Sequence, residues 1–148
     1  ETLDAHRVLV KWAVRKTDAT ILREEEQWLE VPALSAVWMD KVELPQIDCF
    51  NEYVSYEAWE NDQIISQGTV IFSYPKYFRY LNPGLTVRVD GDEIVVKAEA
   101  YAKSVEIRNA NDDLILEDNY FDMNAGEHRV KILDGKPDGL TVRSVYDI

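Results

Sequence analysis

Apolar side chains recur at every second position along most of this chain, and that period constrains the fold more than any other feature. Val8, Val10, Trp12 and Val14 alternate with Leu9, Lys11, Ala13 and Arg15, so an extended backbone would gather the first set on one face. Similar runs occupy residues 21–31, 34–44, 52–59 and 64–74. Pro45 and Asn61-Asp62 interrupt them with turn chemistry. Asn61-Asp62 predicts a hairpin loop, whose turn type stays open because no glycine is present. Glu24-Glu25-Glu26 would suit a helix start, but Thr20, Ile21, Trp28 and Val31 around it favour a strand with a solvated acidic edge. Such an edge discourages pairing with other chains.

Composition changes around Leu81-Asn82-Pro83-Gly84. All four tryptophans (Trp12, Trp28, Trp38, Trp59) precede it, and five of the six glycines lie at or after it. This predicts a boundary between residues 1–83 and 84–148. Pro75 lacks an amide donor, so the strand before the boundary should end or run at a sheet edge there. Beyond it, residues 85–89 and 94–98 flank Asp90-Gly91-Asp92, a strong hairpin signal. Residues 100–108, 114–116, 130–133 and 140–145 read as further short strands. About eleven such runs with little helix signal predict an all-β chain of two consecutive immunoglobulin-like antiparallel β-sandwiches. An upstream strand of the first is expected to be missing, since five main strands fall short of the usual seven or so.

Charge narrows the partners. With 16 basic and 28 acidic side chains, a net charge of −12 and a pI near 4.5, the chain lacks the basic footprint that nucleic acid or an anionic membrane surface demands. Each side of the boundary carries 8 basic and 14 acidic residues, so there is no charged pole. No apolar run approaches the roughly 20 residues of a membrane-spanning helix. The chain begins at Glu1 without a signal-peptide core and is expected to be a processed or excised piece. Secreted, periplasmic and cytoplasmic placements stay open. Cys49 stands alone, with no flanking cation to stabilise a thiolate, and is expected to be buried and inert.

Asp118-Asn119-Tyr120-Phe121-Asp122, followed by Gly126-Glu127 and Val130, resembles a signature of the C-terminal immunoglobulin-like domain of β-mannosidases in glycoside hydrolase family 2. Ala98-Glu99-Ala100-Tyr101-Ala102-Lys103-Ser104-Val105 is similar to a strand of the same domain. Val10-Lys11-Trp12-Ala13-Val14 and Ile71-Phe72-Ser73-Tyr74-Pro75-Lys76 are similar to the opening and closing strands of the sandwich before it. Ala125 stands where that family usually has proline. The resemblance implies a non-catalytic accessory fragment of a retaining β-mannosidase-like enzyme, which supports a catalytic (β/α)₈ barrel and borders its substrate cleft. The barrel, roughly 250 residues, cannot fit here. Independently of the family, Asn119, Asp118 and Asp122 can satisfy backbone groups at a bulge or strand crossing, so fold maintenance is their expected role.

Other constellations carry no catalytic chemistry. Asn51-Glu52 matches the acid/base dipeptide of the resembled barrels but is too short to be specific and has no barrel around it. No catalytic residue, cofactor or metal is therefore assigned. His6 and His128 each stand alone and are read as exposed. Asn109-x-Asn111-x-Asp113 has alternating oxygen ligands, but lacks the glycine and glutamate of a calcium loop and reads as a polar turn. Trp12 falls on the Val8-Val10-Val14 face and reads as core, whereas Trp38, Trp59, Tyr77 and Tyr80 are undetermined. Tyr74, Tyr77, Phe78 and Tyr80 cluster beside the boundary and are expected at an interface between sandwiches or with the barrel. The alternatives are an independent carbohydrate-binding module for mannose-containing glycans, or a protein-interaction or adhesion module.

Overall fold

The computed structural model describes residues 3–44 and 46–148; Pro45, expected as a strand breaker, lies outside the described residues. The fold is all-β and antiparallel. Strands β1 (His6–Lys16), β2 (Ile21–Val31), β3 (Glu52–Glu60) and β4 (Gln63–Val70) form one sheet in the order β2-β1-β3-β4. Val8, Trp12 and Val14 of the central strand are buried, as their alternation predicts. Trp12 pairs with Tyr56 across β3, and the Tyr56 ring lies over Gly68 on β4, where a Cβ would meet the phenol oxygen at 2.5 Å. The glycine thus makes room for an aromatic on the neighbouring strand. Asn61 and Asp62 close the β3–β4 hairpin with φ of 50° and 62°, the double left-handed turn that matches strand twist.

Residues 34–44, expected as a strand, form none. Leu34 takes φ 55°, and Leu34, Val37 and Trp38 are all exposed, Trp38 at 95%. Period two marks the sequence there, but no neighbouring strand offers a ladder. Near the Val14 end of the sheet Arg23 donates to the Glu43 carbonyl at 3.4 Å, and Leu44 and Ile47 line an open depression with Val14 and Leu22. The strands described in the first unit form this one four-stranded sheet. Strand β4 also stops at Val70, short of the expected 74.

The second unit has two layers. One sheet orders β5 (Thr86–Asp90), β6 (Glu93–Ala98), β10 (Gly126–Asp134) and β8 (Ile115–Leu116) as β5-β6-β10-β8. The other orders β7 (Ala102–Arg108), β9 (Phe121–Met123) and β11 (Thr141–Arg143) as β11-β7-β9. Ile94, Val96, Ala98 and Val130 from the first interdigitate with Ala102, Val105, Ile107, Phe121 and Met123 from the second. Each large aliphatic in this core contributes on the order of 1.5–3 kcal/mol by burial. Four strands facing three is the immunoglobulin constant-type count. Val95 points outward yet is 1% exposed, because its two register partners are Arg88 and Arg129, whose stems cover it. Their heads pair with Glu127 and Asp90.

Candidate functional site

One face of the first sheet carries Leu9, Lys11, Ala13 and Arg15 of β1, and its two ends differ. At the Arg15 end the second unit packs on it. Tyr53 and Tyr101 stack at 3.8 Å with an interplanar angle of 14°, and Phe78 and Tyr80 close the cluster. The Tyr53 hydroxyl donates to Asn124 Oδ1 at 2.6 Å. Tyr101 and Thr69 hydroxyls lie 2.6 Å apart, and Thr69 donates on to Asp122, so Tyr101 donates to Thr69. Asp122 also accepts from the Ser104 amide at 2.8 Å and from Lys103 Nζ at 3.1 Å. The Tyr101 amide donates to the Thr17 carbonyl at 3.0 Å, a main-chain tie between units. Burial pushes the Tyr53 and Tyr101 phenols up and the Tyr80 phenol to about 12, so all three stay protonated at neutral pH.

The residues of the 118–122 signature are structural, as their chemistry suggested. Asn119 Oδ1 accepts from the Ile107 amide at 2.9 Å, and its Nδ2 donates to the Ile107 carbonyl at 3.0 Å. This replaces a strand partner two residues beyond the Val105–Phe121 pair, where β9 no longer runs beside β7. Tyr120 adopts φ 61° and donates its hydroxyl to Glu106 Oε1 at 2.8 Å. Arg143 and Tyr120 together hold the Glu106 carboxyl below the usual range.

At the Leu9 end the same face is open. Trp28 on β2 and Trp59 on β3 both pair in register with Leu9, one on each side. The Arg7 guanidinium lies over Trp28 at 4.2 Å from the ring centroid, and Lys11 over Trp59 at 5.3 Å. Trp59 Nε1 donates to Glu57 Oε2 at 2.9 Å, and Trp28 is 52% exposed. These side chains line a depression of about 330 Å³ with Asn61 and Asp62. Between the two ends a polar depression of about 370 Å³ sits over Ala13, ringed by Lys11, Arg15, Glu24, Glu26 and Glu57.

The remaining sequence candidates are dispersed. Trp12 is core at 6% exposure, and Trp38 is exposed on the irregular segment. Phe78 and Tyr80 join the interface between units, whereas Tyr74 and Tyr77 are exposed on the turn Pro75–Tyr77. Glu52 accepts from the Asp48 amide at 3.1 Å, capping a turn in which Asp48 also binds Asn51 at 2.6 Å. Asn109 is buried and donates to Asp113 at 2.5 Å and to the Lys136 carbonyl at 2.9 Å, so that turn is closed by its own amide. Two expectations need correction. His128 is half-buried, stacked on Phe121 at 4.2 Å, because β10 aims it at the β9 aromatic; His6 meets Glu60 at 2.5 Å. Cys49 is half-buried rather than fully enclosed. The pairing of Trp28 and Trp59 through Leu9 escaped the sequence reading, because it depends on the register of β1 with two different strands.

The profile of the family described as "Mannosidase Ig/CBM-like domain" matches residues 1–77, and that described as "Ig-fold domain" matches residues 80–148. No curated protein sequence matches the chain. Among solved structures, a β-D-mannosidase from Dictyoglomus thermophilum is similar over 97% of this chain, with a TM-score of 0.74 and 16% identity. The exo-chitosanase CsxA of Amycolatopsis orientalis is similar over 97%, with a TM-score of 0.64 and 11% identity. The chain spans 19% of the first protein and 24% of the second.

Proposed function

The chain belongs to the mannosidase Ig/CBM-like domain family over residues 1–77, and on that premise we propose that it is an accessory part of a β-mannosidase-like glycoside hydrolase of family 2. It packs against a catalytic barrel carried elsewhere in the parent polypeptide and hydrolyses nothing itself. One observation carries this reading: nearly the whole chain matches a stretch that makes up about a fifth of a β-mannosidase. A barrel of roughly 250 residues exceeds the 148 present. The reading also divides the chain into immunoglobulin-like units at 1–83 and 84–148.

The buried polar interface supports the scaffold role. Tyr101, Thr69 and Asp122 fix one unit on the other through directional hydrogen bonds, which orients both toward a third body. The test is an assay of the chain on an aryl β-mannoside, where the expected rate equals that of buffer. Turnover that disappears in Glu52→Ala would overturn the reading. A coding sequence for the parent protein without a barrel would also overturn it.

A further inference from the structure

The open end of the first sheet, Trp28–Leu9–Trp59, has the construction of a sugar-stacking platform, and we propose that it binds a neutral pyranose oligosaccharide. The proposal does not rest on the accessory reading. Trp28 and Trp59 flank Leu9 in register on the strands either side of β1. Two strand spacings set their backbones about 10 Å apart. That separation suits alternate sugars of one extended 1,4-linked chain, with Leu9 beneath the sugar between them.

Neither indole belongs to a buried core cluster. Trp28 keeps half its surface in solvent, and Trp59 is half-buried beside Ile64, which is 42% exposed. Arg7 and Lys11 rest on the ring faces and take part in none of the ion pairs among the described residues. A cation held on an aromatic face at an exposed site is stabilised by only about 0.5–1 kcal/mol, so either head can swing aside and donate to a hydroxyl.

The surrounding polarity selects the ligand. In register beside Arg7 and Lys11 stand Glu30, Glu26 and Glu57, and Asp62 sits at the hairpin tip. Four carboxylates against two cations disfavour uronates, phosphates and anionic lipid. They are acceptors for hydroxyl protons, while Arg7, Lys11 and Asn61 are donors. Flat apolar rings inside a rim of donors and acceptors complement the C–H face and hydroxyl edge of a pyranose. A docked protein would have to bury these charges, which is costly where they are unpaired.

The experiment is a calorimetric and tryptophan-fluorescence titration of the full chain with β-1,4-linked mannotetraose, with mannose as the short comparator. The expected result is saturable binding of the tetraose, weaker for mannose, with Trp28→Ala and Trp59→Ala each reducing affinity about tenfold. Trp38→Ala, far out on the irregular segment, should leave it unchanged. Near-ultraviolet circular dichroism checks that each variant is folded, and Trp59→Phe keeps an aromatic ring if Trp59→Ala is not. Absence of saturable binding at about 10 mM tetraose would overturn the proposal. So would binding that survives loss of both indoles, or that Trp38→Ala abolishes. None of these outcomes bears on whether the parent carries a barrel.

Discussion

Replacing Asn119 by alanine tests the claim that the 118–122 signature maintains the fold. Asn119 is half-buried, and its amide makes two bonds to the backbone of Ile107, a residue 2% exposed. Alanine leaves the Ile107 amide and carbonyl without partners just past the Val105–Phe121 pair, where β9 supplies no main chain. Each unsatisfied buried group costs about 1–3 kcal/mol, so the expected loss for the two is about 2–6 kcal/mol. A unit of roughly 65 residues has only about 3–10 kcal/mol in total. The variant should therefore bring the second unit close to unfolding.

Urea titration followed by far-ultraviolet circular dichroism reads this directly. With a slope of about 1–3 kcal/mol/M, the midpoint for the second unit should fall by about 1–3 M. All four tryptophans lie in the first unit, so a parallel fluorescence titration shows whether the first sheet follows or stays. Tyr120→Phe is the matched control. It removes one partly exposed hydrogen bond and leaves Glu106 paired with Arg143, so about 1 kcal/mol or less should be lost. An Asn119→Ala midpoint no lower than that of Tyr120→Phe would refute the argument. Protection of the Ile107 amide against hydrogen exchange should fall in the same variant.

Burial lowers the His128 pKa from 6.5, with Asp118 and Glu117 pulling the other way. The unfolded chain then takes up the proton first, so this contribution is full above about 6.5 and declines as pH falls below it. His128→Gln should flatten the stability profile across that window, and an unchanged slope in thermal melts at stepped pH would count against the assignment. At the interface between units, Thr69→Val, Asp122→Asn and the double variant form a cycle; Thr69 donates directly to Asp122, so a coupling of at least about 0.5 kcal/mol is expected. Additivity of the two losses in urea unfolding would show that the contact does not tie the units.

Local chemistry was readable in the sequence wherever the partner lies a few residues away. The β1 face, the Asn61-Asp62 hairpin and the Asp90-Gly91-Asp92 turn depend on φ preferences and parity, which sequence carries. The role of Asn119 was legible because an amide beside two strands has few other uses. Residues 34–44 were misread because alternation shows what a segment would bury as a strand, not whether a neighbour exists to pair with it. Val95 escaped because its cover comes from Arg88 and Arg129, polar in sequence but apolar along their stems. The Trp28–Leu9–Trp59 row needed register, and register between β1 and its partners is set by contacts across up to some fifty residues of chain.

Register also explains why one sheet face serves two purposes. Along β3, Tyr53 and Trp59 point the same way but lie six positions apart, about 20 Å. At the Tyr53 end, stacking and a hydrogen-bonded chain through Thr69 fix the second unit in place. The polar depression over Ala13 separates that end from the indoles, because Lys11, Glu26 and Glu57 there stay hydrated and do not attract a packing partner. Had residue 13 carried a large apolar side chain, the interface could have spread along the face and covered Trp28 and Trp59. A small residue ringed by charges stops it, and the aromatic end stays accessible on a sheet whose orientation the other end has already fixed.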